Sequence, residues 1–308
     1  MVDWIWTIDQ ASVPFLVWLQ GFQNDGLTAA MRFFSYLGTE YFYLLLLPFL
    51  YWTISKRWGI LVTFSLVFST YLMGVFKWTF NLPRPPSPPV EKLWHETSPS
   101  FFSGHAATAM AVWGALATLI RRTWFWALAA ALIFFIGFSR LYLGVHYPAD
   151  VIAGWLAGGL VAWAVLTGDA RLAPKLQAWP ALKILLIAFF VSLLMVFLHP
   201  RLIQENQWPA PNAVQLGGLM FGIVAGLVWD VKSLHFQVQG SWGQKALRML
   251  LGLVVILFFY LGPKLIIDAM NVTSYPVVQS MRFVRYTLVG FAVSGLAPWL
   301  FQRLRLTV

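Results

Sequence analysis

The 308-residue chain has no cysteine. That excludes a disulfide scaffold, thiolate catalysis and cysteine metal sites. Charge is scarce too: Asp, Glu, Lys and Arg make up 10% of the residues, against about 25% in an average soluble domain. So little charge cannot cover a water-soluble globule of this length, and intrinsic disorder is excluded for the same reason. There is no internal repeat and no low-complexity tract beyond a proline-rich stretch at 83–89. What is present is apolar: 59% hydrophobic and 17% aromatic residues, with a mean hydropathy of +0.71. This composition predicts an all-α, polytopic transmembrane helical bundle.

The 21 Lys and Arg against 11 Asp and Glu give a net charge of +10. In this context nucleic acid is not an expected partner. Basic residues flanking membrane spans account for the excess, and the partner is the bilayer itself.

A span needs about 20 mainly apolar residues. Runs of that kind fall near 39–55, 59–80, 105–121, 123–141, 148–168, 181–199, 213–230, 244–262 and 284–302, which predicts about nine spans. Residues 1–38 are broken by Asp3, Asp9, Gly21, Asn24, Asp25, Gly26 and Arg32, yet carry Trp4, Trp6, Phe15, Trp18, Phe22, Phe33 and Phe34. They read as one or two amphipathic helices lying in the interface. The start lacks a basic stretch followed by an apolar run, so no cleavable signal peptide is expected. The expected organisation is an interfacial segment at 1–38, a helical bundle at 39–168, and a four-span extension at 169–308.

Positive charge recurs on alternate connectors: Lys56 and Arg57, then Arg121 and Arg122, then Arg171, Lys175 and Lys183. The positive-inside rule makes these cytoplasmic, together with Arg303 and Arg305. The intervening connectors then face outward. Short loops point to a bacterial inner membrane. In the second half Gly218, Gly222 and Gly226 share one helix face, as do Gly154 and Gly158. Such faces serve close helix packing, and a homo-oligomer contact is the alternative use.

The outward connectors hold the unexpected polar residues. Lys77 closes the second span, and Arg84-Pro85 follows once Asn81 and Pro83 have broken the helix. Ser103-Gly104-His105 opens the third span. Ser139-Arg140 closes the fourth, and His146 and Asp150 flank the start of the fifth, with Pro148 suited to its first turn. Alternating spans bring these to one membrane face. Converging cations imply an anionic ligand. Guanidinium forks match phosphate oxygens, and a helix start adds free N–H groups and a favourable dipole. Asp150, four residues from His146, can hold one ring nitrogen and leave the other to attack. His105 has no carboxylate close in sequence and suits acid and base duty toward the leaving oxygen and water.

Singly, each feature has a plainer explanation. A membrane-edge lysine snorkels, Ser-Gly at a helix start caps, and His146 with Asp150 can be a structural pair. The plain explanations do not account for all of them sharing one face and one half. His95 reads as a solvated loop residue near the site. His199, His235, Glu40, Asp230, Lys264 and Asp268 read as span-edge residues.

The order Lys77-x6-Arg84-Pro85, then Phe102-Ser103-Gly104-His105, then Ser139-Arg140-x5-His146-x3-Asp150 resembles the tripartite signature of the type 2 phosphatidic acid phosphatase superfamily. The resemblance covers about residues 39–168. It implies a helical-bundle core and hydrolysis of a lipid phosphomonoester or diphosphate through a phosphohistidine, with neither metal nor other cofactor. It implies His146 as nucleophile, Asp150 as its partner and His105 as general acid and base. It implies that Lys77, Arg84, Ser103, Gly104 and Arg140 hold the phosphate. One position departs: Phe102 stands where the family usually has proline. The C-terminal extension is similar in layout to the sphingoid-base-phosphate phosphatase branch. Two other activities could use such an anion site: lipid transport or scrambling, and a vanadate-dependent haloperoxidase reaction. A transporter should leave a polar track across the spans, and a haloperoxidase should be soluble.

Overall fold

The computed structural model describes residues 3–201 and 208–307. Among them the secondary structure is helical: α1 (Asp3–Ala11), α2 (Val13–Gln20), α3 (Asp25–Tyr36), α4 (Glu40–Phe49), α5 (Lys56–Phe80), α6 (Gly104–Ile120), α7 (Thr123–Tyr142), α8 (Pro148–Ala178), α9 (Ala181–Leu198), α10 (Pro211–Trp229), α11 (Trp242–Ala269), α12 (Tyr275–Phe291) and α13 (Ala297–Arg303). The all-α membrane class is as expected. Short π-helical turns extend α4, α10 and α12.

The span count differs. Among the described residues seven helices are long and apolar enough to cross a membrane. An eighth appears if Asp25–Tyr36 and Glu40–Ile54, bent by 51°, count as one broken span. The remaining predicted run, 105–121, falls on α6, which is only 17 residues long. Its alanines are buried by neighbouring helices. Hydropathy cannot distinguish a helix covered by lipid from one covered by protein.

The helices form two compact units, Met1–Leu46 with Leu61–Thr167, and Leu47–Ile60 with Gly168–Val308. The first unit takes in the N-terminal segment, which is three helices rather than one or two. Leu16, Leu19 and Met31 from this segment are buried in one core with Leu141, Tyr142, Leu143, Val145, Tyr147 and Val151. The Gln20 amide fixes this join by donating to the carbonyls of Tyr142 (3.0 Å) and Glu91 (2.7 Å). The aromatic residues Trp4, Trp18, Phe22 and Phe33 remain exposed on the other face. The polar breaks that suggested an interfacial segment are therefore partly helix ends: Asn24 caps α3 through Leu27 N at 2.9 Å.

Local sequence sets where each helix of this unit stops. α5 ends at Asn81, whose φ of 46° is left-handed, and Pro83 forbids continuation. α6 starts at Ser103, an extended N-cap. α7 ends in a turn through Gly144 at φ +69°. A side chain at Gly144 would meet the Glu91 carbonyl, so the position requires glycine both for conformation and for space. Pro148 then opens α8. Gly154 and Gly158 let α8 lie against the backbone of Ser103 and Ala107 in α6.

In the second unit Trp52, Phe236, Ile256, Val289 and Phe301 form the core. The stripe Gly218, Gly222 and Gly226 of α10 faces the backbone of Phe283, Thr287 and Ser294–Gly295. Both glycine faces considered for an oligomer contact are thus filled from within the chain. Asp230, read as a span-edge residue, is buried. It pairs with Lys56 and accepts from Phe236 N at 2.8 Å.

Candidate active site

The site lies within the first unit, where the ends of α5, α6, α7 and α8 meet the 81–103 connector. Tying the elements together are backbone bonds: Ser103 N donates to the Asp150 carbonyl (3.0 Å), Ser100 N to that of Leu82 (2.8 Å), and Leu93 N to that of Leu143 (3.0 Å).

His146 and Asp150 are adjacent, as the i, i+4 spacing anticipates. His146 Nδ1 lies 3.0 Å from Asp150 Oδ2, and both residues are buried. The same carboxylate oxygen accepts from Tyr147 N at 3.0 Å and from the Ser100 hydroxyl at 2.5 Å. Asp150 is therefore pinned by three donors. The natural tautomer puts the imidazole proton on Nδ1 and leaves a lone pair on Nε2. Arg84 Nη1 stands 3.2 Å from that Nε2.

Arg84 is held by carbonyls: its Nε donates to Ser98 O at 2.7 Å and its Nη1 to Val145 O at 2.5 Å. Its Nη2 reaches the Ser98 hydroxyl at 3.1 Å and Glu96 Oε2 at 3.5 Å. Arg140 is fully buried. It donates to the Ser35 hydroxyl and to Glu96 Oε1, and its Nε has no partner. Lys77 Nζ donates to the carbonyls of Pro99 and Ser100. Ser103 caps α6 through Ala106 N at 3.5 Å, placing Gly104 in the first turn. His105 is packed against Gly38, where any side chain would meet its ring, and its buried Nε2 has no partner.

All eight residues singled out from the sequence therefore sit in this one unit. Phe102 takes the proline position without disturbing the cap. It is buried and packs on Phe76 with ring centroids 5.4 Å apart. His95 is exposed.

The electrostatics follow from burial and from the surplus of cations. Burial first, then Arg84, Lys77, Arg140 and His105, hold the His146 pKa well below its usual value. The ring is thus neutral at physiological pH. Burial also lowers the Arg84 pKa, against the pull of Glu96 and Asp150, but a guanidinium remains charged. Among the described residues no three His, Asp or Glu side chains converge as metal ligands would.

Four site residues were not singled out from the sequence. Glu96 bridges Arg84 and Arg140, occupying the kind of position that an anion takes between two forks. Ser100 orients Asp150, Ser35 holds Arg140, and Asp9 is a buried carboxyl near enough to Asp150 to feel its charge. Only Glu96 left a trace, as one of two carboxylates, with Glu91, in the connector that holds Arg84 and Lys92.

Residues 58–174 match the family model of the PAP2 superfamily, and residues 214–308 match that of the PAP2 superfamily phosphatase transmembrane extension. Undecaprenyl-diphosphatase of Sulfolobus acidocaldarius is 33% identical over 147 residues, 44% of this chain and 68% of that protein. Sphingosine-1-phosphate phosphatase 1 of Mus musculus is 26% identical over 299 residues, 86% of this chain and 70% of the mouse protein. Lipid phosphate phosphatase delta of Arabidopsis thaliana is 25% identical over 252 residues, 73% of this chain. The chain spans only 58% of the length of the Arabidopsis protein. The first family model encloses all six charged or imidazole groups singled out from the sequence, Lys77, Arg84, His105, Arg140, His146 and Asp150, and on these matches the chain belongs to the PAP2 superfamily.

Proposed function

We propose that the chain is an integral membrane phosphatase that hydrolyses a lipid phosphomonoester or diphosphate through a phosphohistidine, at the extracytoplasmic face. The observation that carries this reading is the His146 imidazole, held at Nδ1 by Asp150 (3.0 Å) and facing Arg84 (3.2 Å) at Nε2. Names of relatives support it: they include phosphatases of sphingosine-1-phosphate and of undecaprenyl diphosphate. The outward face follows from the positive connectors on the other side.

The phosphoryl group enters among Arg84, Arg140 and Lys77, with the Ser103 hydroxyl and the Gly104 N–H at the start of α6. Glu96 gives up its guanidinium contacts to it. The Nε2 lone pair of His146 attacks phosphorus, the P–N bond forms and the P–O bond to the lipid breaks. His105 donates a proton to the departing oxygen, and the charge of the bound phosphate favours its protonated form. His105 then takes a proton from a water molecule as the oxygen of that water attacks phosphorus. The P–N bond breaks, its electron pair returns to Nε2, and phosphate leaves. Asp150 stabilises the imidazole as it gains positive character. The three cations spread the oxyanion charge, where most of the rate enhancement arises. In this scheme the cations fill the role that a metal plays elsewhere.

The test is phosphate release from a panel of lipid phosphates, with and without chelator, by the wild-type chain and His146→Ala. The panel contains sphingoid-base phosphate, phosphatidic acid, phosphatidylglycerol phosphate and polyprenyl diphosphate, ranked by kcat/KM. Activity in chelator that is lost in His146→Ala is expected. A rate abolished by chelator, or retained by the variant, overturns the mechanism.

A further inference from the structure

The second unit holds cations that the chemistry of the first unit does not use. α11 and α12 pack against each other and run antiparallel through the short connector 270–274. The rings of Tyr260 on α11 and Tyr286 on α12 meet with centroids 6.2 Å apart, which fixes the relative height of the two helices. One helical turn toward the connector from Tyr260 is Lys264, and one turn toward it from Tyr286 is Arg282. The two cations therefore lie at the same level, about 6 Å beyond the tyrosine pair. Arg285 joins them. Its guanidinium sits 5.5 Å from the Tyr260 ring and 5.0 Å from that of Tyr286, and its buried Nε has no hydrogen-bond partner.

Three positive charges on one helix pair repel one another unless an anion lies among them. Among the described residues none of the three is in an ion pair: the pairs present involve Lys56, Arg57, Arg84, Arg140 and His146. Depth narrows the ligand. The long uncharged run of α11 is broken at Lys264, with only one further apolar stretch, Leu265–Ile267, before Asp268, and that of α12 begins near Val284. The cluster thus sits where an apolar span gives way to the headgroup layer, a level that tyrosine also favours. Snorkelling explains one exposed lysine such as Lys264. It does not explain an arginine sandwiched between rings with a donor left over, because an orphaned buried donor is costly.

We propose that Lys264, Arg282 and Arg285, walled by Tyr260, form a second phosphate-oxyanion site, filled by the phosphodiester of an anionic membrane lipid rather than by substrate. Arg285 Nε and the Arg282 fork supply the donors, and the lipid tails lie along the apolar part of α11. The site is independent of the chemistry assigned to the first unit.

The experiment follows thermal unfolding of the full chain in phosphatidylcholine mixed micelles, with phosphatidylglycerol or with inorganic phosphate added. Phosphatidylglycerol should raise the Tm by about 2–4 °C, and the rise should disappear in Arg282→Gln/Arg285→Gln. It should persist in Arg84→Gln, which separates it from the first unit's site, and in Arg171→Gln, which removes an exposed cation elsewhere in the second unit. Arg285→Lys should retain part of it and serves if the double variant does not fold. An equal, variant-sensitive rise with inorganic phosphate supports the site and assigns it to the free ion. A rise that survives in Arg282→Gln/Arg285→Gln, or is lost equally in Arg171→Gln, overturns the proposal, as does no rise with either ligand.

Discussion

Arg84 Nη1 lies 3.2 Å from His146 Nε2, at the opposite end of the imidazole from Asp150 Oδ2, which is 3.0 Å from Nδ1. A cation at Nε2, the nitrogen proposed to attack, and an anion at the other end polarise the ring in one direction. Burial and the surrounding cations also depress the His146 pKa. The acid limb of kcat/KM should therefore fall below pH 6.5, the ordinary imidazole value. Removing a cation favours the imidazolium, so in Arg84→Gln the limb should move to higher pH while kcat falls by about 10²–10³-fold. A pH profile of both forms checks this. An unmoved limb means that Arg84 does not set the ionisation of His146.

Ser100 donates to Asp150 Oδ2 at 2.5 Å and stands 3.4 Å from His146 Nδ1. Hydrogen bonds to charged groups contribute about 1.5–3 kcal/mol. Ser100→Ala should lower kcat by roughly 10–100-fold with KM little changed, because the substrate contacts remain. Ser100→Thr keeps the hydroxyl and should restore most of the rate. A loss confined to KM would place Ser100 at the substrate instead.

Glu96 spans Arg84 and Arg140, two of the groups assigned to the phosphoryl oxygens. Glu96→Gln removes an internal competitor while leaving a side chain of the same shape. Inhibition by inorganic phosphate or vanadate should tighten several-fold, by about 1 kcal/mol. Inhibition constants for the two forms settle the matter, and an unchanged constant shows that the carboxylate does not compete.

Asp9 is buried with neither carboxyl oxygen bonded. Burial, then the Asp150 charge, raise its pKa from 3.8 to about 7. Between these values the folded chain holds a proton that the unfolded chain releases. The stability contribution is complete below the unfolded value and declines as pH rises toward about 7. Asp9→Asn carries no such charge, so its Tm relative to wild type should be higher at pH 8 than at pH 5. Parallel unfolding curves across that range would show that Asp9 does not titrate there.

The signature residues were legible because each follows a local rule. Pro83 and Asn81 end α5 just beyond Lys77, Ser103 caps α6, and His146 sits four residues before Asp150 at a proline-opened helix. Span counting was less secure. The run on α6 is apolar because α7 and α8 cover it, whereas 39–55 is part of a helix pair bent by 51°. Neither difference leaves a mark on hydropathy, which records only that a residue avoids water. The glycine stripe of α10 was legible as a contact face, but its partner, α12, was not.

The sequence by itself determined the solvent of this protein, the order of its helices and the chemical groups of its site. Those depend on composition, on near-neighbour spacing and on backbone limits at proline and glycine. The tertiary structure decided which distant groups complete that site. Ser35 reaches Arg140 from the N-terminal helices, while Glu96 and Ser100 reach inward from an aperiodic connector. Contacts of that kind arise from chain crossing and packing, and no periodicity along the sequence encodes them.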